Sequence, residues 1–227
     1  MRKGLLIPVK QLSQAKRRLA PHFAAQDRAE LADALWQDFF QVAAAVRALD
    51  QVFVVSAEAR VLDRARKLGW VAIPESEQTS ESHSVDLASQ ICAQSGIETL
   101  LRLPVDLPLV EPRDIEAMFK DVPASPAAVL TPSRDGHGTN ALLRTPPALF
   151  PSRFGPGSFA KHLAEAAQCG ARTKVLRNPR LEIDLDDLED LRVAAEYALR
   201  PSLTRAWLQS QGFIRATTRR RGPLALR

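Results

Sequence analysis

Short apolar runs that alternate with longer segments of helical periodicity constrain this chain more than any other feature. Residues 4–9 are followed by a helical pattern over 28–49, 52–56 by 59–68, 71–74 by 85–94, and 99–103 by 112–119. Runs this short, bounded by turn residues, read as buried strands, and the patterns between them read as crossover helices. Repeated βαβ units predict an α/β fold with a mostly parallel central sheet and helices on both faces. The helix entered at Asp27 carries Leu31, Leu35, Trp36, Phe39 and Phe40 at helical spacing, so its aromatics belong to the core. After residue 120 the rhythm changes to strands at 127–131 and 140–144 around a polar, glycine-containing loop. A helix over 158–168, a strand at 174–176 and an acidic strand near 181–186 follow.

Length and charge bound the function classes. A chain of 227 residues, 45% hydrophobic and 25% charged, suits a soluble enzyme-sized domain. The net charge of +5 suggests nucleic acid until it is located along the chain. Residues 201–227 hold six arginines and no acid, which leaves residues 1–200 one charge to the acidic side of neutral. The expected organisation is one catalytic domain over 1–200, then a C-terminal helix and a partly disordered basic tail over 201–227. A nucleic-acid partner is disfavoured, and so is a membrane, because Pro8 interrupts an N-terminal apolar run too short for a signal peptide or a span. Cys92 and Cys169 lack metal-type spacing and read as reduced thiols, which favours the cytoplasm.

In open α/β sheets, ligands collect beyond the carboxyl ends of the strands, so the strand-to-helix junctions are searched for chemistry. At the first, Lys10, Lys16 and Arg18 follow the initial strand and could gather around a triphosphate, although a charge run is also an ordinary solvated face. At the second, Asp106 stands between Pro104 and Pro108, too far from the next helix to cap it. Late in the chain, Asp184 and Asp186 alternate with Ile183 and Leu185, so an extended backbone turns both carboxylates the same way. Two adjacent carboxylates repel unless a cation lies between them, and oxygen ligands suit Mg²⁺. Capping explains Asp187 and Asp190 but not Asp184 and Asp186. Glycine-containing loops at 135–140 and 153–158 permit close approach of the backbone to a ligand. Ser158 reads as an N-cap, or as part of an anion site at a helix N-terminus. His137 and His162 read as loop or core histidines. No Walker-type or dinucleotide glycine fingerprint is present.

Together the junctions resemble the CofC/FbiD family, guanylyltransferases of deazaflavin coenzyme F-420 biosynthesis. The family lies within the nucleotidyltransferase superfamily that includes the molybdenum-cofactor guanylyltransferases. The resemblance runs over residues 4–198 and rests on Ile7 to Lys10, Ala15 to Leu19, Asp106 to Leu109, Gly138 to Leu143, Phe154 to Phe159, His162 and Asp184 to Leu191. It implies a single-domain, Rossmann-like nucleotidyltransferase fold. It also implies Mg²⁺ at Asp106, Asp184 and Asp186, and GTP phosphates at Lys10, Lys16 and Arg18 with Pro8 beside them. The carboxylate or phosphate of a small phosphorylated acid would meet Thr139, Gly155 and Ser158. The resemblance implies that GMP would pass from GTP to that acid, 2-phospho-L-lactate, phosphoenolpyruvate or 3-phospho-D-glycerate, with release of pyrophosphate. The product would pass to a downstream deazaflavin transferase; the oligomeric state stays open, a homodimer included. Where the family opens a helix with glycine, leucine and asparagine, this chain has Ser82-His83-Ser84-Val85-Asp86. The competing readings are another molybdopterin or sugar nucleotidyltransferase and a noncatalytic nucleotide-binding protein.

Overall fold

The computed structural model describes residues 1–12, 15–76 and 79–215. The expected tail over 216–227 lies outside the described residues. Seven strands form one sheet: β1 (Lys3–Val9), β2 (Gln51–Ser56), β3 (Val71–Pro74), β4 (Thr99–Arg102), β5 (Ala127–Pro132), β6 (Thr139–Thr145) and β7 (Arg172–Val175), in the order β3-β2-β1-β4-β6-β5-β7. All neighbours are parallel except that β6 runs antiparallel to both β4 and β5. This reversal brings the start of β6, at Thr139, to the sheet edge where β1 and β4 end.

The helices are α1 (Ala25–Ala44), α2 (Ala59–Lys67), α3 (Glu81–Gln94), α4 (Pro112–Met118), α5 (Ser158–Gln168), α6 (Pro179–Glu182), α7 (Leu188–Glu196) and α8 (Leu203–Ser210). Along β1, side chains alternate between faces. Leu5, Ile7 and Val9 pack with Trp36, Phe39 and Phe40 of α1, while Leu6 packs on the other face with Val85, Ala88 and Cys92 of α3. Beyond the central strands, α5 covers β5 and β6 through Ala166, Ala128, Leu130 and Leu142. Helices on both faces of a mostly parallel sheet match the expected architecture. A further apolar cluster joins Leu31 and Leu35 of α1 to Leu191 and Ala194 of α7 and to Trp207 and Leu208 of α8.

Three local expectations are corrected. The segment around Asp184 is not a strand. Pro179 opens the short α6, capped by the Asn178 side chain, and the chain then runs extended without a ladder to α7. A backbone bond ties it to the sheet end, Leu185 N–H to the carbonyl of Asp106 at 3.1 Å. The facing segment carries Pro104 and Pro108, which have no N–H to donate, so it is a poor strand partner. The alternation survives nonetheless, with Ile183 and Leu185 buried and Asp184 and Asp186 facing outward. The last strand lies at Arg172–Val175 rather than 174–176, and α3 begins at Glu81, ahead of the expected 85, because Ser80 caps it by accepting from His83 N–H.

Candidate active site

Two bends shape the cationic wall of the site. After β1 the chain passes through Lys16, whose φ of 55° is left-handed, into a 3-10 turn at Arg17–Leu19. That turn aims the Lys16 ammonium inward, 2.8 Å from Asp106 Oδ2 and 3.2 Å from Asp186 Oδ1. Arg18 stays exposed at the rim, 3.5 Å from Asp186 Oδ2. Burial would lower the Lys16 amine, but Asp106 and Asp186 outweigh it and hold the group above its ordinary value. Burial likewise opposes ionisation of Asp106, and Lys16, then Lys10 and Arg102, overcome that and keep it a carboxylate.

Asp184 is different. Its carboxyl is pushed up to about 7 by burial, with the negative charges of Asp106 and Asp186 adding, while Asn140 Nδ2 at 3.3 Å offsets part of the rise. The segment that carries it is held firmly. Asp187 caps α7 by accepting from Glu189 and Asp190 N–H, and Asp190 accepts from Asp187 and Asp186 N–H. The capping roles expected for Asp187 and Asp190 are therefore present. Upstream, Asp114 of α4 pairs with Arg180 at 2.6 Å and accepts from Asn178, which fixes α6.

The opposite wall comes from β6 and the loop before α5. Gly155 has φ of 118°, a conformation open to glycine, and a Cβ on Gly138 would lie 2.7 Å from Ser133 Oγ. Ser158 does not cap α5. Gly157 occupies the cap in a left-handed conformation, and the Ser158 hydroxyl instead donates to Thr139 Oγ1 at 3.2 Å. Two N–H groups expected to be offered to an anion are already used, Ser158 N–H by the Gly155 carbonyl and Phe159 N–H by the His137 carbonyl. What this wall can present to a ligand is hydroxyl and loop backbone.

Pro8, Lys10, Lys16, Arg18, Asp106, Thr139, Gly155, Ser158, Asp184 and Asp186 all line one cavity of about 590 Å³. The structure thus assembles every residue singled out from the junctions. Among the described residues no three acidic, histidine or cysteine side chains are arranged to hold a metal ion together, and the Lys16 ammonium lies between Asp106 and Asp186. An oxygen-only donor set, with the half-buried Asp184 carboxyl beside the negative charges of Asp106 and Asp186, still fits a divalent cation, which needs only one or two protein carboxylates.

Sequence reasoning missed the floor of this cavity. Arg102 ends β4 almost fully buried, ion-paired with Glu81, stacked 4.0 Å over Phe154 and donating to the Asn140 carbonyl at 3.2 Å. Burial lowers its guanidinium to about 9. Glu81 also pairs with Lys10 at 2.9 Å, so one carboxylate links the two walls. The available signal was an arginine at the end of an apolar strand. The unusual stretch at Ser82–Asp86 lies on α3 and buttresses the loop before α5, with Ser82 Oγ accepting from Phe154 N–H and Asp86 accepting from Ser152 N–H.

A family model described as "Guanylyl transferase CofC like" matches residues 3–213. A phosphoenolpyruvate guanylyltransferase of Rubrobacter xylanophilus is 38% identical over 188 residues, 82% of this chain and 90% of that protein. A 2-phospho-L-lactate guanylyltransferase of Methanothermobacter thermautotrophicus is 31% identical over 84% of this chain and 83% of its own length. Among solved structures, CMP:2-keto-3-deoxy-manno-octonic acid synthetase complexed with CTP aligns with a TM-score of 0.57 at 14% identity, over 86% of this chain and 97% of that one, a likeness of fold. No helix among the described residues is long and apolar enough to cross a membrane. With a nucleotidyltransferase fold, a family match across nearly all described residues and relatives of this kind, the chain belongs to the CofC-like guanylyl transferase family and is a guanylyltransferase.

Proposed function

We propose that this enzyme transfers GMP from GTP to the phosphate of phosphoenolpyruvate, releasing pyrophosphate, as a step of coenzyme F-420 biosynthesis in the cytoplasm. The observation that carries the reading is the division of one cavity into a cationic wall with carboxylates and a hydroxyl-and-glycine wall. The choice of acid follows the name of the 38% identical relative; 2-phospho-L-lactate is the second candidate, on the name of the 31% identical one.

A phosphate monoester is mostly dianionic at neutral pH, its second pKa being about 6, so the attacking oxygen needs no general base. The chain's tasks are to suppress repulsion between two anions and to align them. Lys10, Lys16 and Arg18 would neutralise the triphosphate and the departing pyrophosphate. Thr139, Gly155 and Ser158 would hold the acid so that its phosphate oxygen faces the α-phosphorus. Asp184, with Asp106 or Asp186, would hold Mg²⁺, which when bound supplies further charge neutralisation on the phosphates. The product diphosphate would be handed to a deazaflavin transferase.

The test is pyrophosphate release with GTP and each of phosphoenolpyruvate, 2-phospho-L-lactate and 3-phospho-D-glycerate, with and without the coupled transferase. Release with phosphoenolpyruvate above the others is expected. Release only with sugar phosphates, or binding of Mg-GTP without turnover of any acid, would overturn the reading. Asp106→Ala and Asp184→Ala should each lower turnover by roughly a hundredfold or more while the chain remains folded by circular dichroism. Near-normal turnover in either variant would remove that residue from the metal assignment.

A further inference from the structure

His162 lies fully buried on α5, with ring centroids 4.8 Å from Phe154 and 6.4 Å from Phe150. Its Nε2 is 2.8 Å from the backbone nitrogen of Arg153. A backbone N–H can only donate, so Nε2 carries no proton. Burial, together with the positive charges of Arg144, Arg102 and Arg153, lowers the imidazole to about 3, which keeps the ring neutral. The single ring proton is therefore on Nδ1, and Nδ1 faces Thr139 Oγ1 at 2.9 Å.

Thr139 Oγ1 then accepts twice, from His162 Nδ1–H and from the Ser158 hydroxyl. A hydroxyl has two acceptor lone pairs and one donor proton. With both lone pairs used, the Thr139 proton is left without an acceptor among the described residues, on a side chain that lines the cavity. We propose that His162 is a positioning residue for the acceptor: by holding its proton on Nδ1 it makes the Thr139 hydroxyl an obligate donor to an anionic oxygen of the phosphorylated acid. The inference rests on the reading of Thr139, Gly155 and Ser158 as the acceptor wall. It separates that wall from a merely polar surface, because a hydroxyl free to rotate would accept from a neutral donor as readily as it gives to an oxyanion.

Two substitutions in the full chain divide the two ring nitrogens. His162→Asn keeps an N–H near the Nδ1 position and loses the acceptor for Arg153; His162→Gln keeps an acceptor near Nε2 and loses the donor to Thr139. With GTP saturating, His162→Gln should raise the KM for the acid about tenfold, with kcat and the KM for GTP within about twofold of wild type. His162→Asn should leave the KM for the acid within about twofold. Equal rises in both variants would overturn the proposal in favour of simple packing. Nitrogen-proton correlation NMR of the wild-type ring at neutral pH, without any substrate, should show a protonated Nδ1 and a bare Nε2. A proton on Nε2 would overturn it too. Because the tautomer is read without an acid, failure of the acceptor assignment and failure of this inference are distinguishable.

Discussion

At Lys16 two costs are accepted together: a left-handed backbone at a non-glycine residue, of order 1–3 kcal/mol, and a buried ammonium. Both are offset where Asp106 and Asp186 converge on that ammonium. The residue scale also carries a pH prediction. In the unfolded chain His162 takes a proton near 6.5, and in the folded chain only near 3. Between those values the unfolded state binds more protons, so this histidine's contribution is complete above pH 6.5 and lost as pH falls, by about 1.4 kcal/mol per unit. Asp184 acts in the opposite sense, since the native state keeps its proton up to about 7 and stability declines as pH rises toward that value. The wild-type profile is flattened by their opposition, and the difference from His162→Asn isolates the histidine. In urea melts without metal, the wild type's advantage over that variant should shrink by about 2 kcal/mol from pH 7 to pH 5. A constant difference would mean that His162 titrates alike in both states. The strand-end positions of Lys10, Asp106 and Thr139 were legible in the sequence because a junction is a local pattern. The contact of Lys16 with Asp106 was not, since nothing in their separate surroundings fixes the crossing of two distant loops.

Among the elements, α8 shows how a terminal helix is tied down. Its N-terminus receives the buried Asp38 carboxylate of α1, which accepts from Leu203 N–H at 3.0 Å and Thr204 N–H at 2.8 Å, while Ser202 caps Arg205 N–H. Arg200 also donates to the Asp38 carbonyl at 3.2 Å. Asp38→Ala would strip two backbone donors of their partner and should cost about 1–3 kcal/mol in a urea titration, with an unchanged denaturant slope. A loss under about 0.5 kcal/mol would show that apolar packing of Trp207 and Leu208 alone secures the helix. Periodicity located α2 well because it buries a continuous apolar stripe, and it carried α1 past its end at Ala44 because apolar residues continue through Val46 and Leu49. It misjudged the acidic segment, since alternation reports which side chains face the core but not whether a neighbouring chain offers N–H and C=O groups for a ladder.

Across the whole molecule, the central sheet joins a parallel region to a mixed one through the β4–β6 pairing, where Leu101 faces Leu143 in register. The same apolar cluster contains Ile7, Phe39, Leu101, Val129 and Leu143, so both regions share one core. One cooperative transition is therefore expected, with near-ultraviolet and far-ultraviolet circular dichroism lost together and calorimetric and van't Hoff enthalpies equal. Two resolved transitions would show the mixed strands melting apart from the rest. The α/β class was legible at this scale from alternation alone. The antiparallel entry of β6 was not, because strand direction depends on how a loop returns to the sheet and not on hydrophobic period.

The bond from Leu185 N–H to the Asp106 carbonyl has a consequence in time. It joins segments far apart along the chain, and closing so long a loop costs entropy before any contact rewards it. β1 finds both of its partners, β2 and β4, within the first 102 residues, whereas Leu185 can meet Asp106 only once the chain extends past residue 185. During synthesis, the wall of the cavity that carries Asp184 and Asp186 is accordingly completed late.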